Sequence, residues 1–92
     1  MNTTEQLVKE IRERIKKIRF EKGYTQDNMA DMLNISQNAY HKIEKGYSRI
    51  DLCKFIALAK ILEVEVSELI NGPEYKHSFS KYYKKQVLKK IE

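Results

Sequence analysis

Gln37, Asn38, His41, Lys42 and Lys45 fall within nine residues, at a spacing that gathers them on one side of a helix. Their chemistry is hydrogen bonding and charge pairing. A glutamine or asparagine amide presents a donor beside an acceptor and can bond bidentately to adenine. Lysine reaches guanine acceptors or phosphate oxygens. Tyr40 and Ile43, three residues apart, take the opposite side, so the segment has one apolar and one polar face. Taken in isolation, Gln37 and Asn38 also fit a merely solvated first turn. His41 is placed to face either phosphate or solvent.

Such a face needs a helix and something to aim it. The helix is expected from about Gln37 to Lys45, with Ser36 as its cap and Gly46 as its stop. A second helix precedes it. Thr25 can accept a hydrogen bond from a free first-turn amide, and Asp27 sets negative charge at the positive end of the dipole. Met29, Ala30 and Leu33 recur at helical spacing, and small Ala30 lets the two helices approach closely. Asn34 follows the last apolar residue and tolerates the left-handed conformation that ends a helix. Ile35 then points inward. Two short helices joined by a tight turn make a helix-turn-helix, a unit that offers its second helix to the DNA major groove.

The remaining apolar residues supply a scaffold. A long first helix is expected from near Thr4 to before Gly23, with Leu7, Ile11, Ile15 and Ile18 as its inner stripe and Val8 widening it. Lys9, Arg12, Arg14, Lys16 and Lys17 mix with Glu10 and Glu13 on the side assigned to solvent. Asp51 can cap a fourth helix whose apolar face includes Leu52, Phe55, Ile56, Ala59 and Leu62. Val64 and Val66 continue the core. Ser67 stands near the start of a short last helix with Leu69 and Ile70, and Asn71, Gly72 and Pro73 close the domain.

The run IRERIKKIRFEKGYTQDNMADMLNISQNAYHKIEKG, followed by IDLCKFIALAKILEVEVSELI, resembles the Cro/phage-repressor type of helix-turn-helix domain over about residues 11–70. The GYTQ entry, the Ala30, Asn34 and Ile43 framework, the KIEKG exit and the ILEVEVSEL ending carry the resemblance together. It implies an all-α, compact five-helix, lambda-repressor-like domain. By position it implies that Gln37, Asn38, His41 and Lys42 read base edges or neighbouring phosphates. Thr25, Gln26, Lys45, Tyr47, Ser48 and Arg49 become candidates for phosphate contact, and Arg19 and Glu44 for an ion pair between the first and third helices. Three departures stand out. Asn34 and Glu63 occupy positions where glycine is frequent in the family. Tyr40 replaces an aliphatic residue, so its hydroxyl must find a partner or water. Phe20 stands where a polar residue is common, as an exposed aromatic or a contact for an added segment.

Ninety-two residues make one domain, able to bury roughly 60–65% of its unfolded surface. The net charge of +5 is uneven: residues 1–73 carry 12 Lys/Arg against 11 Asp/Glu, residues 74–92 six Lys against two Glu. A nearly neutral domain can still bind DNA if its cations cluster on one face. The division expected is therefore a domain at 1–72 and a basic amphipathic tail at 73–92. In the tail, Phe79, Tyr82, Tyr83, Val87, Leu88 and Ile91 have approximate helical spacing. Three readings of it stay open: an additional C-terminal helix on the domain or on a second subunit, a basic arm on DNA, or a terminus that orders with a protein partner.

Cys53 is the only cysteine, which excludes an internal disulfide and fits a reducing compartment. It reads as a small helix residue rather than a nucleophile. Met29 and Met32 read as core filling and helix surface. His41 and His77 lie in different elements, so no metal-ligand spacing is present and no cofactor is expected. MNTTEQLVKE lacks the basic and apolar regions of a signal peptide, and no apolar run approaches the ~20 residues of a membrane span. A cytoplasmic, non-enzymatic protein without membrane contact is the expectation. The reading that follows is a homodimeric transcriptional regulator of double-stranded DNA, a repressor on an inverted-repeat operator. The alternative is an antitoxin-type interaction module that neutralises a partner toxin, with the tail as the element it binds through.

Overall fold

The first four helices each start where a side chain replaces a missing backbone partner. A computed structural model of the chain describes residues 3–72. Five helices follow one another: α1 Thr4–Lys22, α2 Gln26–Leu33, α3 Gln37–Lys45, α4 Leu52–Ile61 and α5 Val66–Asn71. Thr3, Thr25, Ser36 and Asp51 cap the first four, each side chain accepting from a backbone N–H three residues on. Thr25 and Asn28 form a reciprocal capping box, Asn28 Oδ1 accepting from the Thr25 N–H at 2.9 Å.

Helix ends follow the backbone that each residue tolerates. Gly46 closes α3 with φ 85, a conformation that L side chains rarely adopt. Asn34 closes α2 at φ 58, and Glu63 follows α4 at φ 57. Both departures from glycine thus lie in the left-handed region. Asn34 is there at modest cost, and Glu63 bears the full steric penalty of a side chain without local hydrogen-bonding compensation.

The core gathers one stripe from each helix. Ile15, Met29, Ala30, Tyr40, Leu58, Ala59, Leu62 and Leu69 form its buried cluster, with Ile43 also buried. Fully burying a side chain such as Met29 or Leu58 is worth about 1.5–3 kcal/mol. α2 packs against α3, α1 against α3 and α5, and α4 against α2 and α5. This arrangement clamps the helix-turn-helix between a long helix and a short pair.

Several surface assignments differ from the expectation. Leu7 and Val8 are exposed, so the buried stripe of α1 begins only at Ile11. On α4 the inner stripe is Phe55, Leu58, Ala59 and Leu62; Leu52 is 72% exposed and Ile56 also faces out. The spacing of 55, 58, 59 and 62 is that of one helix face, and 52 and 56 lie on its flank. Ile70 is exposed beside buried Leu69. Arg12 and Arg14, assigned to solvent, are half-buried, Arg12 bonded to carbonyls of α3 and the loop after it and Arg14 to a carbonyl of α5. Met29 is core and Met32 surface. The readings of residues 73–92 lie outside the described residues. No described helix is long and apolar enough to cross a membrane.

Candidate nucleic-acid interface

α3 is aimed by what it buries. Tyr40 and Ile43 are buried in the core, and Gln37, Asn38, Lys42 and Lys45 are exposed on the opposite face. The turn sets the angle of entry. With Asn34 left-handed, the Ile35 N–H reaches the Ala30 carbonyl at 3.0 Å, and Ser36 Oγ accepts from the Ala39 N–H at 3.0 Å. α2 and α3 are thereby locked within three residues of turn.

A polar network ties this unit to α1. Arg19 donates from Nε to Glu44 Oε2 at 2.9 Å and from Nη2 to Oε1 at 2.8 Å, a bidentate pair. Its Nη1 donates to the Tyr24 carbonyl at 2.9 Å. The two side chains are only 7% and 3% exposed. Hydrogen bonding to Glu44 outweighs burial and raises the Arg19 pKa. Burial alone would raise the Glu44 carboxyl, but the Arg19 donors, the neighbouring Tyr40 hydroxyl, the Gln26 amide and the charge of Arg19 hold it below the usual carboxylate value. A buried pair of this kind fixes geometry more than it adds stability.

Gln26 joins the same network. Its Nε2 donates to Glu44 Oε1 at 3.2 Å, which leaves its Oε1 turned to His41 Nδ1 at 3.4 Å. Gln26, Gln37, Asn38 and His41 border one shallow depression, so the start of α2 and the exposed face of α3 form a continuous surface. A second depression joins Asn38 and Lys42 to Ser48, Arg49 and Lys54. A third joins Lys45 and Arg49 to Lys9 and Arg12. Tyr47 projects from the loop, 75% exposed. Thr25 is exposed at the α2 terminus, one acceptor site of its hydroxyl used by the cap and its O–H proton still able to donate.

Arg12 is the residue that sequence reasoning missed. It donates to the Ile43 carbonyl and, at 3.0 Å, to the Ser48 carbonyl. It thus adds a second donor to a last-turn carbonyl of α3 that also accepts from the Gly46 N–H, and it holds the following loop. Desolvation lowers its pKa. A signal was present: Arg12 and Arg19 are seven residues apart and so share the α1 face that meets α3. Tyr40 carries an irregularity of the polar network. Its hydroxyl is buried against the Arg19–Glu44 pair, yet completes no hydrogen bond among the described residues. Burial, and then the Glu44 carboxylate, push its pKa well up.

This geometry can present amides and cations to a polyanion from a rigid surface, with α3 foremost. Among the described residues no three His, Cys, Asp or Glu side chains group as metal ligands would.

A family model described as helix-turn-helix matches residues 15–69, more than half of the chain. Two relatives from Bacillus subtilis (strain 168) are similar to it. The SPbeta prophage-derived uncharacterized HTH-type transcriptional regulator YonR is 43% identical over 60 residues, 65% of this chain and 56% of that protein. The uncharacterized HTH-type transcriptional regulator YqaE is 37% identical over 73 residues, 79% of this chain and 63% of that protein. The chain thus spans 56% and 63% of the length of these relatives. No solved structure matches it.

Proposed function

Because this chain belongs to the helix-turn-helix family, of the Cro/phage-repressor type, we propose that it is a sequence-specific transcriptional regulator that represses from a dimer on an inverted-repeat operator. The two Bacillus subtilis relatives carry the name HTH-type transcriptional regulator, which supports the general role. The observation that carries the reading is the polar face of α3. Its amides and lysines are exposed on a helix whose other side is buried in the core.

In this reading α3 enters the major groove. Gln37, Asn38 and Lys42 meet base edges, and His41 stands at the margin beside Gln26. Thr25, Gln26, Lys45, Tyr47, Ser48 and Arg49 bind phosphates and set the register. One recognition helix reads only a few base pairs. A homodimer reads two half-sites roughly 34 Å apart on one side of the duplex. Repression follows from occupying promoter DNA in the cytoplasm. Residues 73–92 form a separate basic tail in this scheme, available to a second subunit or a protein partner.

Selection of bound DNA from a random duplex pool, at near-physiological salt, tests the proposal. An enriched inverted repeat is expected; a folded protein that enriches nothing removes sequence-specific reading by this chain alone. Against the selected site, Gln37→Ala is expected to cost about 1–3 kcal/mol and relax one position. Arg49→Ala is expected instead to weaken binding to all sequences and to flatten the salt dependence. Wild-type binding by both variants would show that the docking geometry is wrong.

A further inference from the structure

Lys54 has no part in the scheme above, yet its position places it beside residues that do. It lies in the first turn of α4 and borders the same depression as Asn38 and Lys42 of α3 and Ser48 and Arg49 of the loop. Its ammonium is held by Asp51, Nζ to Oδ2 at 2.8 Å. The other oxygen of that carboxylate accepts from the Lys54 N–H at 2.7 Å, as the cap of α4. One aspartate therefore both starts the helix and restrains the lysine.

The side chains of Lys54 and Asp51 are 38% and 57% exposed, and an ion pair so open to water is worth little. A stronger or better-placed anion can displace the carboxylate from the ammonium. Arg49 and Lys54 line the same depression as Asn38 and Lys42, so a duplex whose base edges meet Asn38 and Lys42 would bring its bordering sugar-phosphate backbone to these two cations. We propose that Lys54 is a DNA-phosphate contact held in check by Asp51, the phosphate taking the carboxylate's place on docking. This rests on the reading of α3 given above. Asp51 then has a second effect. It lowers affinity for DNA of any sequence, because each phosphate contact made by Lys54 must first break the Asp51 pair.

The two roles of Asp51 are separable, since asparagine caps a helix about as well as aspartate but cannot hold an ammonium by charge. The experiment uses the full chain and a duplex of random sequence, with affinity measured across a salt series. Lys54→Ala is expected to weaken binding three- to tenfold and to reduce the salt slope by about 0.9, the share of one phosphate. Lys54→Gln is expected to do the same. Asp51→Asn is expected to tighten binding several-fold at unchanged helicity. The double variant, Asp51→Asn with Lys54→Ala, is expected to bind as Lys54→Ala does.

An unchanged salt slope in both Lys54 variants overturns the phosphate contact. If the gain from Asp51→Asn persists in full without Lys54, Asp51 merely repels DNA and the restraint is wrong. A wild-type chain that binds no duplex at all removes the reading of α3 and this proposal with it. Wild-type binding with indifferent Lys54 variants removes this proposal alone.

Discussion

At the scale of single residues, Tyr40 is where local demand and tertiary placement disagree. Its ring is fully buried in the core, and its hydroxyl, close enough to Arg19 and Glu44 to feel both charges, lacks a hydrogen bond of ordinary geometry among the described residues. Burying an unsatisfied hydroxyl costs about 1–3 kcal/mol. Tyr40→Phe keeps the ring and removes that cost. It is expected to leave stability unchanged or raise it by about 1 kcal/mol in urea denaturation, without affecting DNA binding. A loss above about 1 kcal/mol would show that the hydroxyl is bonded. Phe20 is a milder case. It is 64% exposed, yet Arg19 lies over its ring, Cζ 4.6 Å from the centroid. The ring face under Arg19 therefore shields one side of the cation that α1 sends to α3, and the other face stays open to water.

At the scale of elements, the helices agree closely with their sequences and the connections carry the tension. Thr25, Ser36 and Asp51 stand where capping chemistry asks for them, and the reciprocal bonds of Thr25 and Asn28 complete the α2 terminus. The joint between α4 and α5 is less comfortable. Glu63 is left-handed at φ 57, while its N–H reaches the Lys60 carbonyl at 3.1 Å and the Val64 N–H reaches Ala59 at 3.0 Å. The hydrogen bonds demand the conformation and the side chain opposes it, at about 1–2 kcal/mol. Its ion pair with Lys22, at 3.9 Å and largely exposed, returns little. Glu63→Gly relieves the strain but gains freedom in the unfolded chain. A net stabilisation of about 0.5–1 kcal/mol is expected, seen as a higher melting temperature with unchanged helicity. A lower one would place the cost elsewhere.

At the scale of the whole molecule, the buried pair of Arg19 and Glu44 couples α1, α3 and, through Gln26, α2. Glu44 has its folded pKa below the ordinary carboxylate value. A depressed carboxyl stabilises the fold above its unfolded pKa, about 4.3, and the contribution is lost as pH falls through the folded value. Thermal melts of the wild type are thus expected to lose stability below about pH 4 partly through this group. Glu44→Gln is expected to be less stable at pH 7, by about 2 kcal/mol or more, because Arg19 keeps its buried charge without a counter-ion. It is also expected to show a flatter acid limb. Parallel pH profiles for the two proteins would remove Glu44 as the titrating link.

The local structure of this chain was legible in its sequence because helices are written in short-range terms. Caps at Thr25, Ser36 and Asp51, stops at Gly23, Asn34 and Gly46, and the apolar periodicity of α2 and α3 depend on residues three or four positions apart. The two-faced character of residues 37–45 and the family resemblance came from the same local pattern. What only the tertiary structure decided is which polar groups meet across elements. Arg12 reads as surface on α1 and proves to hold the end of α3 and its loop. Lys54 is part of the α3 depression, 12 residues beyond Lys42 in the chain. Leu52 and Ile56 match the α4 pattern and still face outward. Periodicity fixes an angle around a helix axis. Packing alone determines how wide a sector of that helix is covered, and by which neighbour's carbonyls and carboxylates.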